Sequence, residues 1–103
     1  MRRAAAADAN SPAIVAALRA VGASVLDLHT IGGGCPDLLA VFAGEAVLLE
    51  VKNPKGKNRI GERQERFRQT WRGRVVVVRS VDEALAAIGC TVMGTAGTQE
   101  GEG

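Results

Sequence analysis

Two short runs in this chain place acidic and basic groups at a spacing that can do chemistry. Pro36-Asp37 is followed, after twelve residues, by Glu50-Val51-Lys52. Residues 38–42 and, apart from Glu50, 46–51 are apolar and read as two strands, and Ala43-Gly44-Glu45 between them has the length of a hairpin turn. Asp37 then opens one strand while Glu50 and Lys52 end the other, so the open end of the hairpin gathers all three side chains. Glu50 and Lys52 are two apart and share a face of their strand. Carboxylates at the end of an apolar strand are costly unless paired or metal-bound, and one lysine neutralises only one of them. Mg2+ takes one or two protein carboxylates and fills its other octahedral positions with water and phosphate oxygen. Such an ion polarises a phosphate and activates a water. A lysine beside it orients the nucleophile or balances developing charge. An isolated Glu-x-Lys is more often a structural ion pair at a strand end. The preceding Pro-Asp, the hairpin spacing and a basic stretch downstream set this one apart.

That basic stretch runs over residues 52–74. It holds nine basic and two acidic residues, a net of +7, whereas the rest of the chain carries −5. Such asymmetry is the electrostatic footprint of a polyanion-binding face. Lys55, Lys57, Arg59, Arg63 and Arg66 are nominated as the surface that contacts a nucleic-acid backbone. No base-reading module is evident, so backbone contacts should dominate recognition.

The elements that must position these groups follow from punctuation and periodicity. A first helix starts near Asn10 or Ser11 with Pro12 at its first position, carries Ile14, Val15, Leu18 and Val21, and stops at Gly22. Residues 24–28 alternate as a strand, and residues 31–34 form a glycine-rich loop. The strand over 46–51 is almost wholly apolar and is expected to be buried on both faces. A polar loop over 53–61 leads to a second helix over 62–72, with Phe67 and Trp71 one turn apart and expected in the core rather than as a base-stacking platform. Residues 75–78 form a fourth strand. Ser80 and Glu83 form a capping box for a last helix, whose inner face is Ala84, Leu85 and Ile88 and whose stop is Gly89. The order helix, strand, strand, strand, helix, strand, helix predicts an α/β fold, a mixed central sheet flanked by helices. Residues 1–9 read as an N-terminal extension, 10–90 as one domain and 91–103 as a disordered tail.

Composition removes several function classes. The chain has 103 residues, 47% hydrophobic and 23% charged, as expected of one globular domain. Cys35 and Cys90 form no CxxC pair and fit no zinc spacing, and they read as reduced thiols. No apolar run approaches the 18 residues of a membrane span. The amino-terminal apolar stretch stops at Asp8, too short for a signal peptide, and the protein is read as cytoplasmic. Gly32-Gly33-Gly34 lacks the Lys-Ser/Thr of a P-loop and suggests close backbone approach to DNA or loop flexibility. His29 is the sole histidine and has no nucleophile in a recognisable elbow beside it, so it reads as a partly exposed strand-end residue.

Taken together, Gly34-Cys35-Pro36-Asp37-Leu38-Leu39, Leu49-Glu50-Val51-Lys52 and Gln64 in the next helix resemble the PD-(D/E)XK nuclease superfamily, and more closely the small stand-alone members of its VRR-NUC family. The likeness spans residues 11–88. It implies a restriction-endonuclease-like core and a Mg2+-dependent endodeoxyribonuclease, with Mn2+ able to substitute. It makes Asp37, Glu50 and the Val51 backbone carbonyl metal ligands, Lys52 the catalytic lysine and Gln64 a supporting catalytic-site residue. It also implies action on structured or branched DNA such as four-way junctions, and since one short chain offers one site while cutting two strands needs two, a homodimer is expected. One departure stands out: many relatives carry a metal-reaching glutamate in the first helix, and here that helix has no acid, leaving Asp8 or Asn10 as substitutes. A non-catalytic DNA-binding protein on a nuclease-like fold is the alternative this departure favours.

Overall fold

The computed structural model describes residues 10–53 and 61–90. Its elements are α1 (Ser11–Ala20), β1 (Ser24–Asp27), β2 (Leu38–Phe42), β3 (Glu45–Val51), α2 (Glu62–Thr70), β4 (Val75–Val78) and α3 (Val81–Ala87). This is the expected order of three helices and a mixed sheet. Strands run β1-β2-β3-β4 across the sheet; β1, β2 and β3 are antiparallel neighbours and β4 pairs parallel with β3. The extension over 1–9, the tail over 91–103, and Lys55, Lys57 and Arg59 lie outside the described residues.

Local chemistry explains the boundaries. Pro12 sits in the first turn of α1, where a missing N–H costs nothing. At the other end Gly22 takes φ +97°, so its own N–H bonds the Arg19 carbonyl and the Ala23 N–H bonds that of Leu18. That paired closure is the Schellman motif, and Gly89 and Cys90 repeat it behind α3 onto Ala86 and Leu85. The β2–β3 turn is two residues, Ala43 and Gly44, both at positive φ, the geometry whose twist suits a hairpin. Ser80 caps α3 by accepting the Glu83 N–H at 3.1 Å. The Glu83 carboxylate answers one residue further back than a capping box has it, on the Arg79 N–H.

The core lies on one side of the sheet. Ile14 and Leu18 of α1, and Ala84, Leu85 and Ala87 of α3 with the adjacent Ile88, pack on Leu38, Ala40, Val47, Leu49, Val51 and Val78. These strand residues alternate, as one sheet face requires. From Val47 to Val51, β3 is buried on both faces, Glu50 included.

The second helix departs from expectation. It ends at Thr70 rather than Arg72, and none of its residues is buried. Phe67 is its one large apolar side chain, too little to anchor nine residues on a sheet. Trp71 lies just beyond the helix, exposed rather than in the core, and stacks on Phe67 with ring centroids 5.3 Å apart. Thr70 helps to end the helix, because its hydroxyl donates to the Arg66 and Phe67 carbonyls.

Leu49→Ala should cost about 2–5 kcal/mol of stability in urea unfolding, since it empties a fully buried site between α1, α3 and the sheet. Leu26→Ala, at a residue 58% exposed, should change stability by no more than about 0.5 kcal/mol. Equal losses would contradict the placement of the core.

Candidate active site

The hairpin opens where its sequence predicts. Asp37 precedes β2, and its N–H bonds the Leu49 carbonyl of β3 at 3.0 Å. Its carboxylate Oδ2 accepts the Val51 N–H at 2.8 Å. An extended residue presents its N–H and C=O to the same side, so the Val51 carbonyl leaves β3 on the side of Asp37. Glu50 and Lys52 flank Val51 on the opposite sheet face from the core, and their charged groups lie 3.5 Å apart.

Gln64 closes the group from α2. Its amide Nε2 donates to Glu50 Oε2 at 2.6 Å, and its Oε1 accepts from Lys52 Nζ at 3.3 Å. The amide thus turns its positive end to the carboxylate and its negative end to the ammonium. The same Oε1 accepts the Gly61 N–H at 3.2 Å and so ties the site to the start of α2. Asp37, Glu50, Lys52 and Gln64, chosen from sequence, are therefore brought together.

Electrostatics mark Glu50 as the unsettled member. Its carboxyl is pushed up to about 7, first by burial and then by the charge of Asp37, which outweigh the pull of Lys52. Two carboxylates with one ammonium leave negative charge in a partly dry place, and a divalent cation suits that deficit. Asp37, Glu50 and the Val51 carbonyl fit Mg2+, which needs few protein ligands and keeps several waters. No third carboxylate, imidazole or thiol completes a ready-made metal cluster among the described residues.

Four other residues take places that the sequence leaves open. Asn10 donates its amide to the Lys52 carbonyl at 3.3 Å and the Arg79 carbonyl at 3.0 Å, and so lashes the start of α1 to the ends of β3 and β4. Asp8 lies outside the described residues. Cys35 is close enough to the site that Glu50 and Asp37 add to burial in raising its thiol, and both cysteines are free. His29 bonds Asp27 through its N–H and its ring Nδ1, at 3.0 and 2.5 Å, which holds the Asp27 carboxyl below the usual range. Asp27 pairs with Leu38 on the core side of the sheet, away from Glu50.

Gly34, which opens the Pro-Asp run, makes a close backbone approach within the chain. It sits at φ +84°, and a Cβ there would overlap the Arg63 carbonyl and lie 2.9 Å from the Gln64 nitrogen. The close approach is to the first turn of α2, the turn that carries Gln64. Of the five nominated phosphate-contacting residues, Arg63 and Arg66 are described, and both are exposed on α2.

Comparison with family models, curated proteins and solved structures finds no match.

Two outcomes follow. Because the folded chain holds the Glu50 proton more tightly than the unfolded chain does, this contribution to stability is full below about 4.5 and is lost as pH rises through about 7. The melting temperature of the metal-free protein should fall between pH 5 and 8, and Glu50→Gln should flatten that fall. A wild-type curve with no downward slope there would contradict it. Gly34→Ala, forced into positive φ against α2, should cost about 1–3 kcal/mol and loosen the Gln64–Glu50 contact, read as lost chemical-shift dispersion of the Gln64 amide. An unchanged melting temperature would show that the approach is not tight.

Proposed function

We propose that this protein is a metal-dependent DNA endonuclease that hydrolyses phosphodiester bonds at Asp37, Glu50, Lys52 and Gln64. The observation that carries the reading is the convergence of two carboxylates, one lysine and one glutamine at the end of a buried strand, with the Gln64 amide oriented to both charges. The likeness of these residues to the VRR-NUC family and the exposed arginines of α2 support it further.

Asp37, Glu50 and the Val51 carbonyl would hold Mg2+, which when bound supplies charge for the phosphate and acidity for a water. Asp37 is braced by the Val51 N–H, so its free oxygen has a fixed place. Lys52 stands beside Glu50, where its ammonium can orient the attacking water and offset the negative charge that grows on the phosphate. Gln64 keeps the Lys52 ammonium and the Glu50 carboxylate at a set separation. Arg63 and Arg66 supply sequence-independent attraction for the backbone. The proposal extends to a homodimer acting on branched DNA, since one chain offers one site and cutting two strands in one encounter needs two. Closed two-fold dimers match strands of opposite polarity.

Lys52→Ala should reduce Mg2+-dependent cleavage by about 100-fold or more while leaving DNA affinity within about twofold, because Lys52 is one of nine cations in its segment. Cleavage by gel and binding by anisotropy in EDTA measure the two separately. Undiminished cutting by the variant removes Lys52 from the chemistry. Wild type that binds DNA but never cuts it is a binding protein instead.

A further inference from the structure

Trp71 is 47% exposed, although a tryptophan is among the residues folding most strongly buries on average. It is not held loosely. Its ring lies nearly parallel to that of Phe67, 19° off plane, and its backbone N–H bonds the Phe67 carbonyl at 2.9 Å. Gly73 lets the indole fold over the chain, since a Cβ there would come within 2.8 Å of Nε1. The result is a two-ring stack at the end of α2 that is partly open to solvent.

The segment that carries it is mainly basic, and Arg74 lines the same surface beside the indole. Residues 62–74 carry five arginines against two glutamates, and Arg63, Arg66, Arg68, Arg72 and Arg74 are all exposed. Of these, Arg68 makes a 3.5 Å ion pair with Glu65. An aromatic face within a cationic surface is the combination that holds a single strand: guanidinium groups follow the phosphates and the ring takes a base. α2 also delivers Gln64 to the candidate site two turns earlier, so strand and site share one helix.

We infer that Trp71, backed by Phe67, is a stacking platform for one unpaired base of a DNA strand, and that it directs the enzyme to DNA with an unpaired nucleotide beside a duplex. This rests on the nucleic-acid reading above and gives it a substrate feature. It also reverses the expectation that the two aromatics serve the core. The other use for such a surface is a protein contact. Leu39, Ala46 and Leu48 lie next to Trp71 on the same sheet face, but the surrounding arginines favour a polyanion.

The test uses the chain's own fluorescence, because Trp71 is its sole tryptophan and it has no tyrosine. Full-length protein in EDTA is titrated with a blunt duplex, and with the same duplex carrying a three-nucleotide single-stranded overhang. The expected result is saturable quenching with the overhang and little with the blunt duplex. Trp71→Ala should weaken overhang binding roughly 5- to 150-fold, what about 1–3 kcal/mol of stacking gives, and blunt-duplex binding by less than about twofold. Trp71→Phe, which keeps a ring, should restore most of the difference and shows that the loss is not misfolding. Equal weakening on both DNAs, or binding without quenching, overturns the platform and leaves the nuclease reading standing. Binding to neither DNA overturns both. If Trp71→Ala instead lowers the mass by light scattering and spares DNA affinity, the surface belongs to a protein interface and the inference fails.

Discussion

Glu50 is 4% exposed and sits beside the carboxylate of Asp37. Holding that pair where Lys52 supplies one positive charge is the constraint the surrounding structure answers. Each neighbour contributes one contact. The Val51 N–H takes one oxygen of Asp37, Gln64 takes one of Glu50, and Lys52 stands 3.5 Å from the same Glu50 oxygen. These contacts come from β3 and α2, which are joined by residues 52–61 and kept in place by the parallel pairing of β3 with β4. Even so the carboxyl of Glu50 stays near 7, well above an ordinary glutamate. Perturbed groups of this kind are where catalytic and metal chemistry concentrates.

The fold divides its labour by sheet face. One face is closed by α1 and α3 and carries the aliphatic core, which supplies stability. The other carries Glu50, Lys52, Leu39 and Leu48, and α2 touches it chiefly through Gln64 and the Gly34 approach. α2 buries no side chain, in keeping with its polar and cationic composition. That separation lets the described residues hold both an aliphatic core and a charged surface.

Much of this was legible in residue order. The hairpin that builds the site follows from two apolar runs flanking Ala43-Gly44, and its pleat places Glu50 and Lys52 on one face, so β2 matches its expected bounds and β3 begins one residue early. The helix stops at Gly22 and Gly89 follow from the need for positive φ. What was not legible depends on contacts between distant segments. Gly34 opens the Pro-Asp run, but the partner of its close approach appears only where residues 34 and 63 meet. Asn10 is read from sequence as a candidate stand-in for a missing acid, yet its amide bridges two strand ends. Phe67 and Trp71 have core spacing. Their fate turned on the absence of other apolar residues in α2, which leaves the pair to stack on itself.

The proposed function requires that Asp37 and Glu50 form a divalent-cation site. Calorimetric titration of Mn2+ into the DNA-free protein at pH 7, repeated in two buffers of different ionisation enthalpy, tests it most directly. The account predicts saturable binding that disappears in Asp37→Asn. It also predicts that protons are released as the ion binds, because burial and Asp37 raise the Glu50 carboxyl and the ion takes the carboxylate. Binding unchanged by Asp37→Asn, or no binding at millimolar Mn2+, would contradict it.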